Sequence, residues 1–109
     1  MKLEILQLDI NNEKSLNVIY RDFNKKTFDF SLYSSVYKDN HFEHINPLTN
    51  EPFEESTLQL LEYIFTIFNI GEKPESYHGH SLSVSDIVKL DNRYFYCDGM
   101  DWIDITTDI

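Results

Sequence analysis

The sequence predicts an α+β domain: a mostly antiparallel sheet, one main helix over residues 55–69, and a C-terminal β-meander. Three observations point there. Stretches of alternating apolar and polar character lie near the N-terminus and around residues 28–37. One stretch, residues 55–69, repeats its apolar side chains every three or four positions. The last quarter places short aromatic-rich runs between turn residues. A period of two is the signature of a strand and a period near 3.6 that of a helix. Strands gathered to one side of a single long helix make the α+β pattern. With 109 residues, 3 Gly, 3 Pro, no internal repeat and no Gly/Ser/Pro-rich linker, the chain reads as a single domain spanning 1–109.

The elements follow in order. Lys2 to Ile10 places Leu3, Ile5 and Gln7 on one side and Glu4, Leu6 and Leu8 on the other, a strand covered on both faces. Asn11-Asn12 ends it as a turn. In Ser15 to Phe23, the helical spacing of Leu16, Ile19, Tyr20 and Phe23 predicts a short helix. Phe28 to Tyr37 alternates Phe28, Phe30 and Leu32 with Asp29 and Ser31, a second strand. His41 to Pro52 is polar with two prolines and reads as a connecting loop. In Glu55 to Asn69, Ser56 and Gln59 match a capping box, and Leu58, Leu61, Phe65 and Phe68 form the core stripe, broadened by Leu60, Ile64 and Ile67. Gly71 is placed to close the helix in a left-handed conformation, and Pro74 prevents its resumption. Ser83 to Leu90 is a turn running into a strand, Asp91-Asn92 a hairpin turn, and Arg93 to Asp98 the returning strand. Gly99 turns the chain again, and Trp102 to Ile105 closes the meander.

Charge narrows the function classes. Nineteen acidic residues stand against nine basic ones, a net of −10, with 7 acidic and 2 basic residues in 74–109. Such a surface repels phosphate backbones and anionic membranes, so direct nucleic-acid binding and membrane docking are disfavoured. The favoured partner is another protein with a basic surface. No apolar run is long enough to span a bilayer, and the start Met1-Lys2-Leu3-Glu4-Ile5 lacks the pattern of an export signal. The lone Cys97 has no intramolecular disulfide partner. A cytoplasmic location is expected.

The stretch His78-Gly79-His80-Ser81-Leu82-Ser83-Val84-Ser85-Asp86, with Tyr96-Cys97-Asp98-Gly99 further on, carries a resemblance. Gly79, Ser81, Leu82, Ser83, Val84 and Asp86 resemble the gly-x-ser-leu-ser-val-x-asp signature of the YodL-like domain, and Tyr96 and Asp98 its aromatic-tyrosine-x-asp strand end. Phe68-Asn69-Ile70 is similar to that family's helix end and Leu6-Gln7-Leu8 to its first strand, so the resemblance covers residues 2 to 105. The segment from Asn24 to Glu54 departs freely from it. The resemblance implies a non-enzymatic accessory domain of Gram-positive bacteria and their mobile elements. Members occur alone or as modules of large plasmid or phage proteins, and some are linked to cell-shape proteins. It supplies no catalytic residues. In physical terms Gly79 and Gly99 supply backbone freedom beside tight packing. Asp86 accepts backbone N–H bonds and fixes the start of a strand, or joins Ser81 and Ser83 in a polar recognition surface.

Other constellations carry less. His78, His80, Cys97 and Asp98 contain metal-compatible atoms, but surface histidines are the ordinary outcome. A Ser81–His80–Asp98 triad lacks any nucleophile elbow. Asp98, Asp101 and Asp104 lack the ligand order of a calcium loop. Neither a catalytic set, nor a metal site, nor a cofactor is expected. Eight Phe, seven Tyr and one Trp exceed what a core of this size easily hides, and Tyr33, Tyr37, Phe42 and Trp102 are the candidate exposed rings. With Asp98, Asp101 and Asp104 they form the expected partner-binding set. The expectation is thus a non-catalytic, stoichiometric accessory or inhibitor protein acting on a basic surface, such as a defence-system nucleic-acid enzyme or a cell-shape protein. Two alternatives stand beside it: a metal-dependent hydrolase or nuclease using His78, His80 and nearby carboxylates, and a self-assembling module pairing through its outer strand near Trp102.

Overall fold

The computed structural model describes residues 1–9, 11–17, 23–24, 28–54, 58–99 and 101–109. Five strands form one sheet: β1 (Leu3–Leu8), β2 (Tyr33–Asp39), β5 (Ile87–Leu90), β6 (Arg93–Cys97) and β7 (Trp102–Asp104). Their order is β2-β1-β5-β6-β7, and every pairing is antiparallel. A two-stranded hairpin, β3 (Ile45–Asn46) and β4 (Glu51–Pro52), and a single α-helix among the described residues, α1 (Leu58–Asn69), make up the rest of the α+β fold with short 3₁₀ turns.

The alternation of β1 explains the layers. Leu3 pairs with Leu90 and Ile5 with Val88, and these four join Leu60, Leu61, Ile64 and Phe68 of α1 in one core. On the opposite face Leu6, Leu8, Ile87 and Tyr96 pack with Leu32 and Ile105, edged by Phe23, Phe28, Phe30 and Tyr33. Thus β1, paired on both sides, is covered on both faces as its mixed composition predicts. In β2, Tyr37 opposes Ile5 and Ser35 opposes Leu6, which leaves Val36 as the extra residue of a β-bulge.

Several sequence expectations are corrected. The predicted strand from Phe28 begins only at Tyr33, because Asp29 caps a 3₁₀ turn, Phe30–Leu32, by accepting the Ser31 N–H at 3.0 Å and the Ser31 hydroxyl at 2.6 Å. The predicted loop 41–52 holds the β3–β4 hairpin, with Pro52 tolerated as the last residue of a two-residue edge strand. The helix expected over 15–23 is a 3₁₀ turn at Glu13–Asn17; Phe23 lies outside any helix, and residues 18–22 of that prediction lie outside the described residues, as does Ser56 of the expected capping box. The buried stripe of α1 runs Leu60, Leu61, Ile64, Phe68, rotated from the one predicted, so Leu58 is 55% exposed and the sheet covers only one side of the helix.

Gly71 is not left-handed, for among the described residues no glycine has positive φ. It is small for another reason: a Cβ there would lie 2.6 Å from the Ile67 carbonyl oxygen, where the Ile70 and Gly71 N–H groups both close on the Thr66 carbonyl at 3.1 Å. The helix end is satisfied from outside. Leu82 N–H donates to the Phe68 carbonyl at 2.9 Å, and the Asn69 side-chain amide donates to the Leu82 carbonyl at 2.7 Å. The β5–β6 hairpin turns at Asp91, whose φ is 53°, and Asp91 also ties down the start of β1 through the Lys2 N–H at 2.9 Å.

Ile64 is fully buried between helix and sheet. Ile64→Ala is therefore expected to lower unfolding free energy by about 2–5 kcal/mol, measured by urea denaturation. Leu48→Ala, at a side chain 93% exposed on the hairpin tip, is expected to change it by no more than about 0.5 kcal/mol.

Candidate functional site

Two buried polar side chains, Gln7 and Asp86, stand close together on the helix face of the sheet. Gln7 falls on the core side of β1 because it follows Leu3 and Ile5 in the strand period, and it is 2% exposed. Asp86 immediately precedes β5 and is 1% exposed. Chain segment 77–86 passes over them and closes the site.

The Gln7 amide holds that segment. Its Oε1 accepts the His80 N–H at 3.1 Å; its Nε2 donates toward the His80 carbonyl at 2.9 Å, Asp86 Oδ2 at 2.9 Å and the Tyr77 hydroxyl at 3.1 Å. An amide nitrogen has two hydrogens, so three acceptors share them. His80 Nδ1 lies 3.3 Å from the same nitrogen but 2.8 Å from the Ser81 carbonyl, which only accepts; Nδ1 therefore carries its hydrogen toward Ser81. The Tyr77 ring is stacked on Phe68, with centroids 5.6 Å apart, and its hydroxyl donates to the His80 carbonyl at 2.6 Å. Asp86 Oδ2 accepts the Ser83 N–H at 2.9 Å, and the Asp86 N–H returns to the Ser83 carbonyl at 3.1 Å, which turns the chain into β5.

Gly79 is required by close approach. A Cβ there would lie 2.1 Å from Gln7 Oε1 and 3.0 Å from Val36 Cβ. The neighbouring His78 N–H donates to the carbonyl of Val36, the bulged residue, at 2.9 Å, so the bulge is where the crossing segment is anchored to the edge strand. Ser85, at φ 80°, donates its N–H to the Cys97 carbonyl at 2.8 Å and accepts the Tyr33 hydroxyl at 2.5 Å.

Electrostatics follow from burial. Removal from water pushes the Asp86 carboxyl up to about 7, against the opposing pull of the Ser83 N–H, the His80 ring and the Gln7 amide. His80 Nε2 is 3.9 Å from Asp86 Oδ1, a distance too long for a hydrogen bond. Burial also raises the Tyr33 hydroxyl, and pushes Tyr77 up to about 12 and the Cys97 thiol up to about 12, so Cys97 is held as a thiol rather than a reactive thiolate.

The signature residues thus fall into structural places. Leu82 is fully buried in the helix-side core, Tyr96 is fully buried in the opposite one, and Ser81, Ser83 and Val84 are half-buried in the crossing segment. Gly99 is exposed in the β6–β7 turn, where its N–H donates to Asp98 Oδ1 at 2.8 Å. The recognition-surface alternative for Ser81, Ser83 and Asp86 is corrected at Asp86, which lies beneath the segment rather than on it. The role of Gln7 escaped sequence reading; the only signal was a polar residue on the apolar side of a strand.

The candidate partner-binding residues do not form one patch. Tyr33, Tyr37, Phe42 and Trp102, read from sequence as exposed rings, are half-buried: Tyr33 edges the second core, while Tyr37, Phe42 and Trp102 pack against the first. Tyr37 packs on Phe68 at 5.1 Å and Trp102 meets Phe65 edge-on at 6.4 Å. Asp104 is engaged within the fold, accepting from Arg93 at 2.5 Å and from the Thr106 hydroxyl at 2.6 Å; the Thr106 bonds and Arg93 hold its carboxyl down at about 2. Asp98 and Asp101 accept turn N–H groups of Gly99 and Trp102, and with Glu62, Phe65 and Trp102 they line a hollow of about 240 Å³.

His78 and His80 line a different hollow, of about 310 Å³, beside Ser34 and Val36, so the histidines are not gathered with Cys97 and Asp98. Among the described residues no three His, Cys, Asp or Glu side chains stand together as a metal site, and no Ser, Thr or Cys side chain hydrogen-bonds to the His80 ring. No described helix is long and apolar enough to cross a membrane.

These features define an α+β protein whose densest polar network is buried as a structural latch and whose Glu62, Asp98 and Asp101 line one hollow beside α1. The chain belongs to the YodL-like domain family, which it matches over residues 2–107. No curated protein and no solved structure matches it.

Gly79→Ala is expected to displace Gln7 and cost about 1–3 kcal/mol in urea unfolding. The pH dependence has a definite sign. Because the folded state holds the Asp86 proton up to about 7 against an ordinary 3.8, its contribution is fully present below pH 3.8 and is lost as pH rises through 7. Wild-type stability is expected to fall relative to Asp86→Asn between about pH 4 and 7, and parallel curves for the two proteins across that window would contradict it. Asp104, held low, acts below that window.

Proposed function

We propose that this chain is a non-catalytic protein-binding domain that acts stoichiometrically, through carboxylates, on a basic surface of another protein. The observation that carries this reading is the hollow in which Glu62, Asp98 and Asp101 surround the half-buried rings of Trp102 and Phe65. A lysine or arginine entering it meets carboxylates and an aromatic face together, the two surfaces that attract such cations. The net charge of −10 supplies the longer-range attraction and steers association, while it opposes nucleic acid. Of the four rings expected from sequence, Trp102 alone lines this hollow, half-buried in its wall instead of projecting as an anchor. Membership of the YodL-like family supports an accessory or inhibitor protein of a mobile element or its host, and the partner would be a cell-shape protein or a nucleic-acid enzyme of a defence system.

The test is affinity capture from a lysate of the cell that carries this gene, followed by titration of the purified partner at rising salt. Binding is expected to weaken by tenfold or more as ionic strength rises from about 0.05 to 0.3 M, and to weaken again in the Asp98→Asn, Asp101→Asn double variant, which keeps the turn acceptors but loses the charge. Salt-independent binding, equal for both proteins, would contradict the proposal.

A further inference from the structure

The β3–β4 hairpin presents an apolar side chain that the fold does not use. Leu48 is 93% exposed, yet its position is set: its N–H donates to Asn46 Oδ1 at 2.9 Å, the Asn50 N–H donates to the Asn46 carbonyl at 2.8 Å, and Asn50 takes φ 57°. Below the tip, the Phe53 N–H donates to the His44 carbonyl at 2.7 Å and extends the ladder beyond β3 and β4. The backbone that carries this leucine is held by satisfied turn bonds, so a partner pays little to order the loop itself. Across from it the outer face of α1 exposes Leu58, and Phe53 and Tyr63, with ring centroids 5.2 Å apart, lie half-buried between. These side chains enclose a groove of about 460 Å³, continuous through Asn46, Phe53 and Leu58 with a second hollow that adds Glu51 and Glu54. Since a cavity of roughly 150 Å³ holds a benzene ring, the groove has room for more than one large apolar side chain.

Charge selects the occupant. Residues 39–72 contain seven acidic side chains and no lysine or arginine. Of these, Glu62 lines the apolar groove and also the hollow of Asp98 and Asp101, so carboxylates continue from one to the other along α1. A second copy of the chain would bring like-charged rims together, and a nucleic acid would bring more negative charge.

We propose that the groove between the β3–β4 hairpin and the N-terminal half of α1 seats a basic amphipathic segment of a partner protein. Its apolar side chains contact Leu48, Phe53, Leu58 and Tyr63, while its lysines or arginines reach Glu51, Glu54 and Glu62. This site rests on the protein-binding reading above and adds to it the apolar anchor and the form of the partner.

The probe is a synthetic Leu/Lys peptide with leucines at helical spacing, compared with a scrambled peptide of identical composition, titrated into the whole chain and followed by amide NMR. The ordered peptide is expected to shift signals of 46–48, 53 and 58–63 and to bind the Leu48→Asp variant weaker by on the order of tenfold. That variant is expected to fold, since Leu48 is exposed. Equal binding of both peptides, no binding of either, or unchanged affinity in Leu48→Asp overturns the groove; the acidic-surface reading then stands or falls separately on partner capture by the Asp98→Asn, Asp101→Asn variant. A concentration-dependent dimer lost in Leu48→Asp would instead assign the groove to a second copy and overturn the proposal.

Discussion

A primary amide on the largely apolar, helix-facing side of the sheet sets the conditions for the rest of this molecule. Gln7 sits where the strand period calls for a core aliphatic side chain, and once buried its oxygen and nitrogen must find partners inside the protein. They find them in a chain segment more than seventy residues away, at His80 and Asp86. That requirement explains why Gly79 must lack a side chain, why Tyr77 stacks where its hydroxyl reaches the same point, and why Asp86 is buried in spite of its charge. A hydrogen bond to a charged group contributes about 1.5–3 kcal/mol, whereas a buried group left unpaired costs a comparable amount. The latch therefore favours one path for segment 77–86 over any other.

That path has consequences at both ends. On one side it delivers Leu82 to the C-terminus of α1, where backbone and core contacts hold the helix against the sheet. On the other it hangs on the Val36 bulge, which partly covers the outer edge of β2. The sequence signature of the family thus coincides with packing and backbone satisfaction. The carboxylates proposed to meet a partner lie elsewhere, on the outer face of α1 and at the β6–β7 turn. The proposed contact surface is thus separate from the latch, and Glu62 is common to both of its hollows.

Much of this fold was legible in the residues, and the exceptions have physical reasons. The period of β1 placed Leu3 and Ile5 opposite Leu6 and Leu8 correctly because both faces are buried and the alternation is undisturbed. Phe28, Phe30 and Leu32 alternate like a strand but belong to a capped turn, since the Asp29 side chain offers the backbone a local partner before the sheet begins. The stripe of α1 was misplaced because nearly every position from 58 to 68 is apolar, so composition could not tell Leu60 from Leu58; only the direction of the sheet does. The hairpin at 45–52 was hidden by its prolines and its two-residue strands. The latch itself left one trace, a glutamine in a strand's core register, whereas its partners are set by long-range contacts that no local pattern reports.

The central claim is that segment 77–86 is scaffold and that the outer face of α1 with the hairpin is the contact surface. Hydrogen–deuterium exchange of the whole chain, with and without its captured partner, tests this most directly. The account predicts new protection over residues 45–63 and at 98–102, with exchange over 77–86 unchanged. Protection confined to 77–86, with the hairpin and the outer helix face unaffected, would contradict it.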